Sequence, residues 1–251
     1  MTLKIDDHAP RRGTLIMAST CLGLAIDIPT RSLEALREAD LLIFEEDRPA
    51  RFALKQAGIH KEYIKYSEHK NTQALEQLRK SLKKGKTVCY MSDQGMPTIA
   101  DPGKDLLNIA YQLMAKIIVI PGPSSITSAL AACPFDINKF FYAGFLPRTP
   151  EARNNALLVL KNKQEPIILL DTPYRKKALI DAVSETFGPI RKVLLAIDIS
   201  GEHEQYLYGD VKSIRASIES LDKNLNFVLI IAGNIADTTQ NKKKNRNRTR
   251  L

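Results

Sequence analysis

An apolar run that breaks abruptly into acids, glycines and prolines limits the architectures open to this chain. The stretch Thr87–Gly103 reads TVCYMSDQGMPTIADPG. Val88, Cys89, Tyr90 and Met91 have the length and character of a short buried strand. Asp93, Gly95, Pro97, Asp101, Pro102 and Gly103 follow before a helical pattern resumes at Lys104. Two carboxylates are thereby placed where a strand ends. In an open α/β sheet the carboxyl ends of the strands border the ligand crevice, because loops there vary while the sheet holds them rigid. Ordinary crossover chemistry, with Asp101 as a helix-start residue and the glycines in turns, would account for the same residues.

The segments on either side repeat the motif of strand followed by helix. Gly13–Ala18 reads as a first strand, Ser19–Ile28 as a loop and Thr30–Ala39 as a helix. Asp40–Glu45 gives a second strand that ends in Glu45, Glu46, Asp47 and Arg48 ahead of a helix over Pro49–Ala57. Acids at that point either favour the helix N-terminus through its dipole or supply a base and a guanidinium clamp. A third strand near Tyr63–Ser67, a helix over Asn71–Lys84 with Leu75, Leu78 and Leu82 on one face, and a strand over Lys116–Ile120 complete the first half. This alternation predicts parallel strands joined by right-handed crossovers. Pro121–Cys133 pairs a tight turn with a helix opening rich in Ser124, Ser125, Thr127 and Ser128, whose hydroxyls suit either capping or a polar ligand. The lone Gly23 after the first strand does not make a dinucleotide fingerprint.

The second half continues the alternation after an aromatic segment, Phe140–Pro147. Helices are expected at Glu151–Lys161, Tyr174–Phe187 and Val211–Leu221. Strands are expected at Ile167–Leu170, Val193–Ile197, Glu204–Tyr208 and Phe227–Ile231, again with acids such as Asp171 and Asp198 at strand ends. The reading divides the chain into an arm over 1–12, an α/β domain over 13–134, a second over 135–233 and a basic, fraying tail over 234–251.

A chain of 251 residues, 44% of them hydrophobic, can bury the cores of two such domains. Cys21, Cys89 and Cys133 are too dispersed for a disulfide framework or zinc site, and the four histidines are scattered as well, so no metal is expected and a reducing cytoplasm is the expected home. No apolar run reaches membrane-spanning length, and the first dozen residues lack the apolar middle of a secretory signal. Of the net charge of +9, six units come from Lys242, Lys243, Lys244, Arg246, Arg248 and Arg250. Such a run either touches nucleic acid through its phosphates or is a solvated end.

Several ordered segments together resemble a known family. They are GTLIMASTCLGLAIDI, ADLLIFEEDR, MSDQGMPTIADPG, VIPGPSSITSAL, YAGFLP, DTPYR and VLIIAG, spread over about Gly13–Gly233. The chain is similar to the tetrapyrrole (corrin/porphyrin) methylase superfamily, and most like the branch that methylates a cytidine 2′-hydroxyl of small-subunit ribosomal RNA. The resemblance implies a two-domain α/β, tetrapyrrole methylase-like fold with the cofactor cleft between the domains, S-adenosylmethionine as cofactor, a homodimer, and ribosomal RNA or the small ribosomal subunit as partner. Matching segments put the cofactor at Ser19, Thr20, Cys21 and Leu22, at Ser92, Asp93, Gln94 and Gly95, at Ser124, Ser125 and Ile126, and at Tyr174, Ala196, Leu229 and Ile230. Glu46, Asp47 and Arg48 are the expected acceptor-facing group, since a hydroxyl nucleophile needs its proton removed as it attacks. Certain positions depart from the family pattern. Leu24 stands for an asparagine, Asp171 for a glutamate and Tyr174 for a histidine. Ile197 and Gly201 stand where basic side chains are usual, and Leu225 and Asn226 replace a glycine-glutamate pair. A small acceptor such as a tetrapyrrole precursor, or a cofactor-binding protein without catalysis, are the alternatives.

Overall fold

The computed structural model describes residues 12–67, 71–220 and 222–234. The expected N-terminal arm up to residue 11, and the basic tail with the rest of the segment from 235, lie outside the described residues. Contacts within the chain define two compact units. One runs to Ser125 and includes Ser200–Glu202; the other comprises Ile126–Ile199 and the chain from His203.

The first unit is built on β1 (Thr14–Ala18), β2 (Leu41–Phe44), β3 (Ile64–Lys65), β4 (Thr87–Met91) and β5 (Lys116–Ile120), in the order β3-β2-β4-β1-β5. Every pairing in it is parallel. Alternate residues of one strand point to opposite faces, so two apolar layers form. Helices α1 (Thr30–Glu38) and α2 (Asp47–Ala57) cover Ile16, Ala18, Leu42, Phe44, Cys89 and Met91. Helices α3 (Thr72–Lys83) and α4 (Lys104–Gln112) cover the other face, where Leu15, Met17, Ile43, Val88 and Tyr90 are buried. A strand apolar on both faces is what a sheet sandwiched between helices requires, and it explains why TVCYM carries no polar alternation. Helix α2 ends on Gly58 at φ 67°, the left-handed conformation that closes a helix C-terminus.

The second unit holds a mixed sheet. Its strands are β6 (Phe141–Phe145), β7 (Ile167–Asp171), β8 (Lys192–Ile197), β9 (Gln205–Asp210) and β10 (Phe227–Ile231), in the order β6-β7-β10-β8-β9. Only β6 and β7 pair in parallel; β10 runs antiparallel to both its neighbours, as β8 does to β9. The parallel arrangement expected from the alternation thus holds throughout the first unit and, in the second, only for β6 and β7. The cause is local: Asp198–Glu204 joins β8 directly to β9 as an antiparallel pair, with no helix between them. Helices α6 (Pro150–Leu160), α7 (Lys176–Phe187) and α8 (Val211–Ser217) pack on Leu169, Leu195 and Leu229, while α5 (Ser125–Ala131) places Ile126, Ala129 and Leu130 against Ile168, Ala196 and Ile230 on the opposite face. That packing assigns α5 to the second unit, so the division falls at Ser125–Ile126, ahead of the position near Pro134 suggested by the sequence.

Candidate functional site

The helices that follow β1 and β4 lie on opposite faces of the first sheet, although the two strands are neighbours. Their loops therefore diverge, which is the topological switch point where open α/β sheets leave a crevice. Ser19–Leu22 extends from β1 and Ser92–Gly95 from β4, so eight of the expected cofactor residues come together at one sheet edge.

Backbone hydrogen bonds continue the β1–β4 pairing past the strand ends. Thr20 N–H donates to the Gly95 carbonyl at 2.9 Å, and Gly95 N–H donates to the Cys21 carbonyl at 3.1 Å. The Gln94 side-chain amide adds a bond to the Leu22 carbonyl at 2.9 Å. Gly95 sits at φ 65°, and a Cβ there would lie 3.0 Å from Leu22 Cδ2 and 3.1 Å from the Pro123 carbonyl. Gly122, in the turn after β5, approaches Ser19 so closely that a Cβ would lie 2.1 Å from the serine Oγ. Three loops are thus drawn tightly together. Ser19 and Ser92 are both almost fully buried, and neither hydroxyl has a hydrogen-bond partner. Unused hydrogen-bonding capacity at the ends of neighbouring strands suits a polar ligand, because burying a hydroxyl unpaired costs free energy.

The loop from Asp93 to Gly103 is irregular. Thr98 and Ala100 hold φ of 70° and 66°, a conformation that costs a residue bearing a Cβ on the order of 1 kcal/mol or more. Tyr90 OH donates to the Pro102 carbonyl at 2.9 Å and fastens the far end of the loop to the strand. A cavity of about 350 Å³ opens beside Tyr66, Asn71, Ala100, Asp101, Pro102 and Gly103.

Negative charge gathers here. Burial is the main reason that the Glu45 carboxyl is pushed up to about 7, and the charges of Asp93 and Asp101 raise it further. Asp101 is pushed up to about 6, again by burial first; the nearby Ser92 hydroxyl opposes the rise without meeting full hydrogen-bond geometry, and Asp93 adds to it. Burial also raises Asp93, although its Oδ1 accepts from the Glu46 backbone N–H at 3.2 Å.

The expected acceptor-facing residues are placed differently from one another. Glu46 is the residue before α2, joined through its N–H to Asp93. Asp47, in the first turn of α2, is held by Lys65 Nζ at 2.9 Å and Tyr63 OH at 3.0 Å; these two hydrogen bonds keep its carboxyl below the usual range. Arg48 is exposed on the same turn. Reading the acidic run by residue type singled out Glu46–Arg48 and passed over Glu45, taken as the last residue of a strand. The signal that marks Glu45 is its burial beside Asp93 and Asp101 of the loop after β4, which only the fold reveals.

In the second unit the expected cofactor residues are spread over both faces of the sheet. Ala196 and Ile230 pack with Ile126, whereas Leu229 faces α6, α7 and α8. Tyr174 is 75% exposed in the short 3₁₀ turn before α7. Beside it Asp171 is buried and paired with Arg175 at 3.3 Å, and Arg175 donates to the Pro147 carbonyl at 2.9 Å, so the DTPYR and GFLP segments lock each other. Among the described residues no cluster of His, Cys, Asp and Glu could hold a metal ion, and no helix is long and apolar enough to cross a membrane.

Known proteins resemble this chain in sequence and in fold. A ribosomal RNA small subunit methyltransferase I from Thermotoga maritima is 31% identical over 221 residues, which cover 88% of this chain and 99% of that protein. Among solved structures, a uroporphyrin-III-C-methyltransferase from Thermus thermophilus superposes with a TM-score of 0.60 at 17% identity, over 88% of this chain and 94% of that one. The cobalamin biosynthetic enzyme cobalt precorrin-4 methyltransferase gives 0.67 at 15% identity, over 87% and 94%; both likenesses concern the fold. The family model for tetrapyrrole (corrin/porphyrin) methylases matches residues 14–215, and with the parallel first sheet and its strand-end loops already in view, the chain belongs to that family.

Proposed function

We propose that this protein is an S-adenosylmethionine-dependent methyltransferase acting on small-subunit ribosomal RNA, at a cytidine 2′-hydroxyl. The observation that carries the reading is the full-length similarity to a ribosomal RNA small subunit methyltransferase I, at 31% identity over 99% of that relative. The site chemistry supports it. The buried, unpaired hydroxyls of Ser19 and Ser92 and the close backbone approaches at Gly95 and Gly122 fit a cofactor rich in hydroxyl, amine and ring nitrogen groups. Residues Ser19–Leu22 and Ser92–Gly95, with Ser124 and Ser125 after β5, would hold it in the first unit. When bound, the sulfonium supplies an electrophilic methyl group.

The protein's own residues supply position. Methyl transfer needs an in-line nucleophile at about 3 Å, and fixing that geometry accounts for much of the rate. The Thr20–Gly95 and Gly95–Cys21 hydrogen bonds keep the two loops in register without help from a ligand. Glu46, Asp47 and Arg48 face the acceptor in this reading, with Asp47 anchored by Lys65 and Tyr63 so that the turn holds its shape. Homodimerisation in the cytoplasm belongs to the same reading and is checked by sedimentation.

The test is calorimetry with S-adenosylmethionine followed by tritiated-methyl transfer to undermethylated small ribosomal subunits. Binding with transfer to the RNA is the expected result. Binding without transfer would transfer the reading to a small acceptor, for which the departures at Ile197 and Gly201 leave room.

A further inference from the structure

A hydroxyl acceptor must lose its proton as it attacks, and the group that takes the proton has to stand at the site in its basic form. Among the described residues of the first unit, Glu45 is the carboxylate with an oxygen that is both out of contact with water and without a hydrogen bond. It follows Phe44, whose register partner across β2–β4 is Met91, so Glu45 and Ser92 are the first residues past the paired ends of two adjoining strands. Ser92 is only 1% exposed, and its hydroxyl lies against the Asp101 carboxyl. The Asp93 backbone N–H also bonds the Glu45 carboxyl, so one oxygen, Oε2, is left unfilled next to the loops that would hold a methyl donor.

We propose that Glu45 accepts the proton of the acceptor hydroxyl during transfer from a methyl sulfonium donor. The inference rests on the methyl-transfer reading above. The acceptor O–H bond breaks as the O–CH₃ bond forms. The S–CH₃ bond breaks with its electron pair left on sulfur as a neutral thioether, and the proton stays on Glu45 until it passes to water.

The surroundings of Glu45 suit the task. Asp93 and Asp101 act on it from the loop after β4, Glu46 acts from its own segment, and the Tyr90 phenol lies near it on β4. Burial and these negative charges push the carboxyl up to about 7, so near neutral pH it exists in both forms. A base with that midpoint combines an adequate ionised fraction with a useful appetite for protons. Asp47 is a poorer base, since Lys65 and Tyr63 hold its carboxylate in the ionised form.

The experiment compares the full chain with Glu45→Gln in two ways. Methyl transfer to undermethylated small subunits is followed from about pH 5.5 to 9, with S-adenosylmethionine affinity measured alongside. Glutamate carboxyl carbons are titrated by NMR in the protein alone, the Glu45 signal being the one missing from the variant. The proposal requires a rate loss of about 100-fold or more, loss of the wild-type rise in rate centred near neutrality, donor affinity changed by less than about threefold, and a Glu45 signal titrating well above the ordinary glutamate range. Transfer by the variant at a similar rate with the same pH profile overturns the proposal and leaves the methyltransferase reading intact. So does a Glu45 signal in the ordinary range. Transfer by neither protein, with the donor still bound, overturns the ribosomal RNA reading and this proposal with it.

Discussion

Gly95 shows how one backbone angle serves the site. At φ 65° it turns the chain back so that both its N–H and its carbonyl reach the loop after β1. Gly95→Ala adds a Cβ in a disfavoured conformation and against two close neighbours, so a loss of about 1–2 kcal/mol in denaturant-induced unfolding is expected, with weaker donor binding in calorimetry. The carboxyls at the strand ends make a second residue-scale prediction. Glu45 and Asp101 are both raised in the folded state, so each favours the fold most when protonated in both states and loses that advantage as pH rises from its ordinary value, about 4, through about 7 and about 6 respectively. Asp101→Asn should therefore raise the melting temperature relative to wild type at pH 8 and have little effect at pH 4, as read by thermal scans; a larger gain at pH 4 would contradict the assignment. The sequence made Asp93 and Asp101 visible as acids after a strand. It placed Glu45 in the acidic cluster after β2 but could not separate it from Glu46 and Asp47, because what sets it apart is its burial beside a loop far away in the chain.

Among the elements, the segment Ser200–Glu202, between β8 and β9, belongs to the first unit. Leu24 N–H donates to the Ser200 carbonyl at 2.7 Å, the Ser200 hydroxyl contacts Asp27, and a Cβ on Gly23 would fall 2.2 Å from that carbonyl. Gly23→Val should displace the segment and cost about 1–3 kcal/mol in unfolding, since backbone cannot yield as a flexible side chain does. The 3₁₀ turn at Pro173–Arg175 depends on its ion pair in the same way. Arg175→Met leaves the buried Asp171 without its cation, and a loss of about 3 kcal/mol or more is expected in chemical denaturation, whereas Lys65→Met, which removes an exposed partner of Asp47, should cost far less. Element type was largely legible wherever apolar residues ran together: β5 and β10 occupy the spans the pattern indicated. Strand β6 was not. Its FYAGF mixes exposed aromatics with a glycine at φ 66° where the register shifts, so neither alternation nor a buried run announces it.

For the whole molecule, two sheets of different kind came from one repeated sequence pattern. Parallel pairing in the first unit follows from a helix after nearly every strand; mixed pairing in the second follows from the direct β8–β9 connection. The pattern of apolar runs carries no information on strand direction, which is why family resemblance and structure were both needed to reach the fold. Charge also acts at this scale. With a net charge of +9, binding to small-subunit RNA should weaken steeply as salt is raised, and removal of residues 242–251 should flatten that dependence by the contacts the tail supplies. The most direct measurement is transfer of a tritiated methyl group from S-adenosylmethionine to undermethylated small ribosomal subunits by the full chain. The account predicts label in the RNA, at a ribose 2′-oxygen, and label absent from the RNA despite bound donor would contradict it.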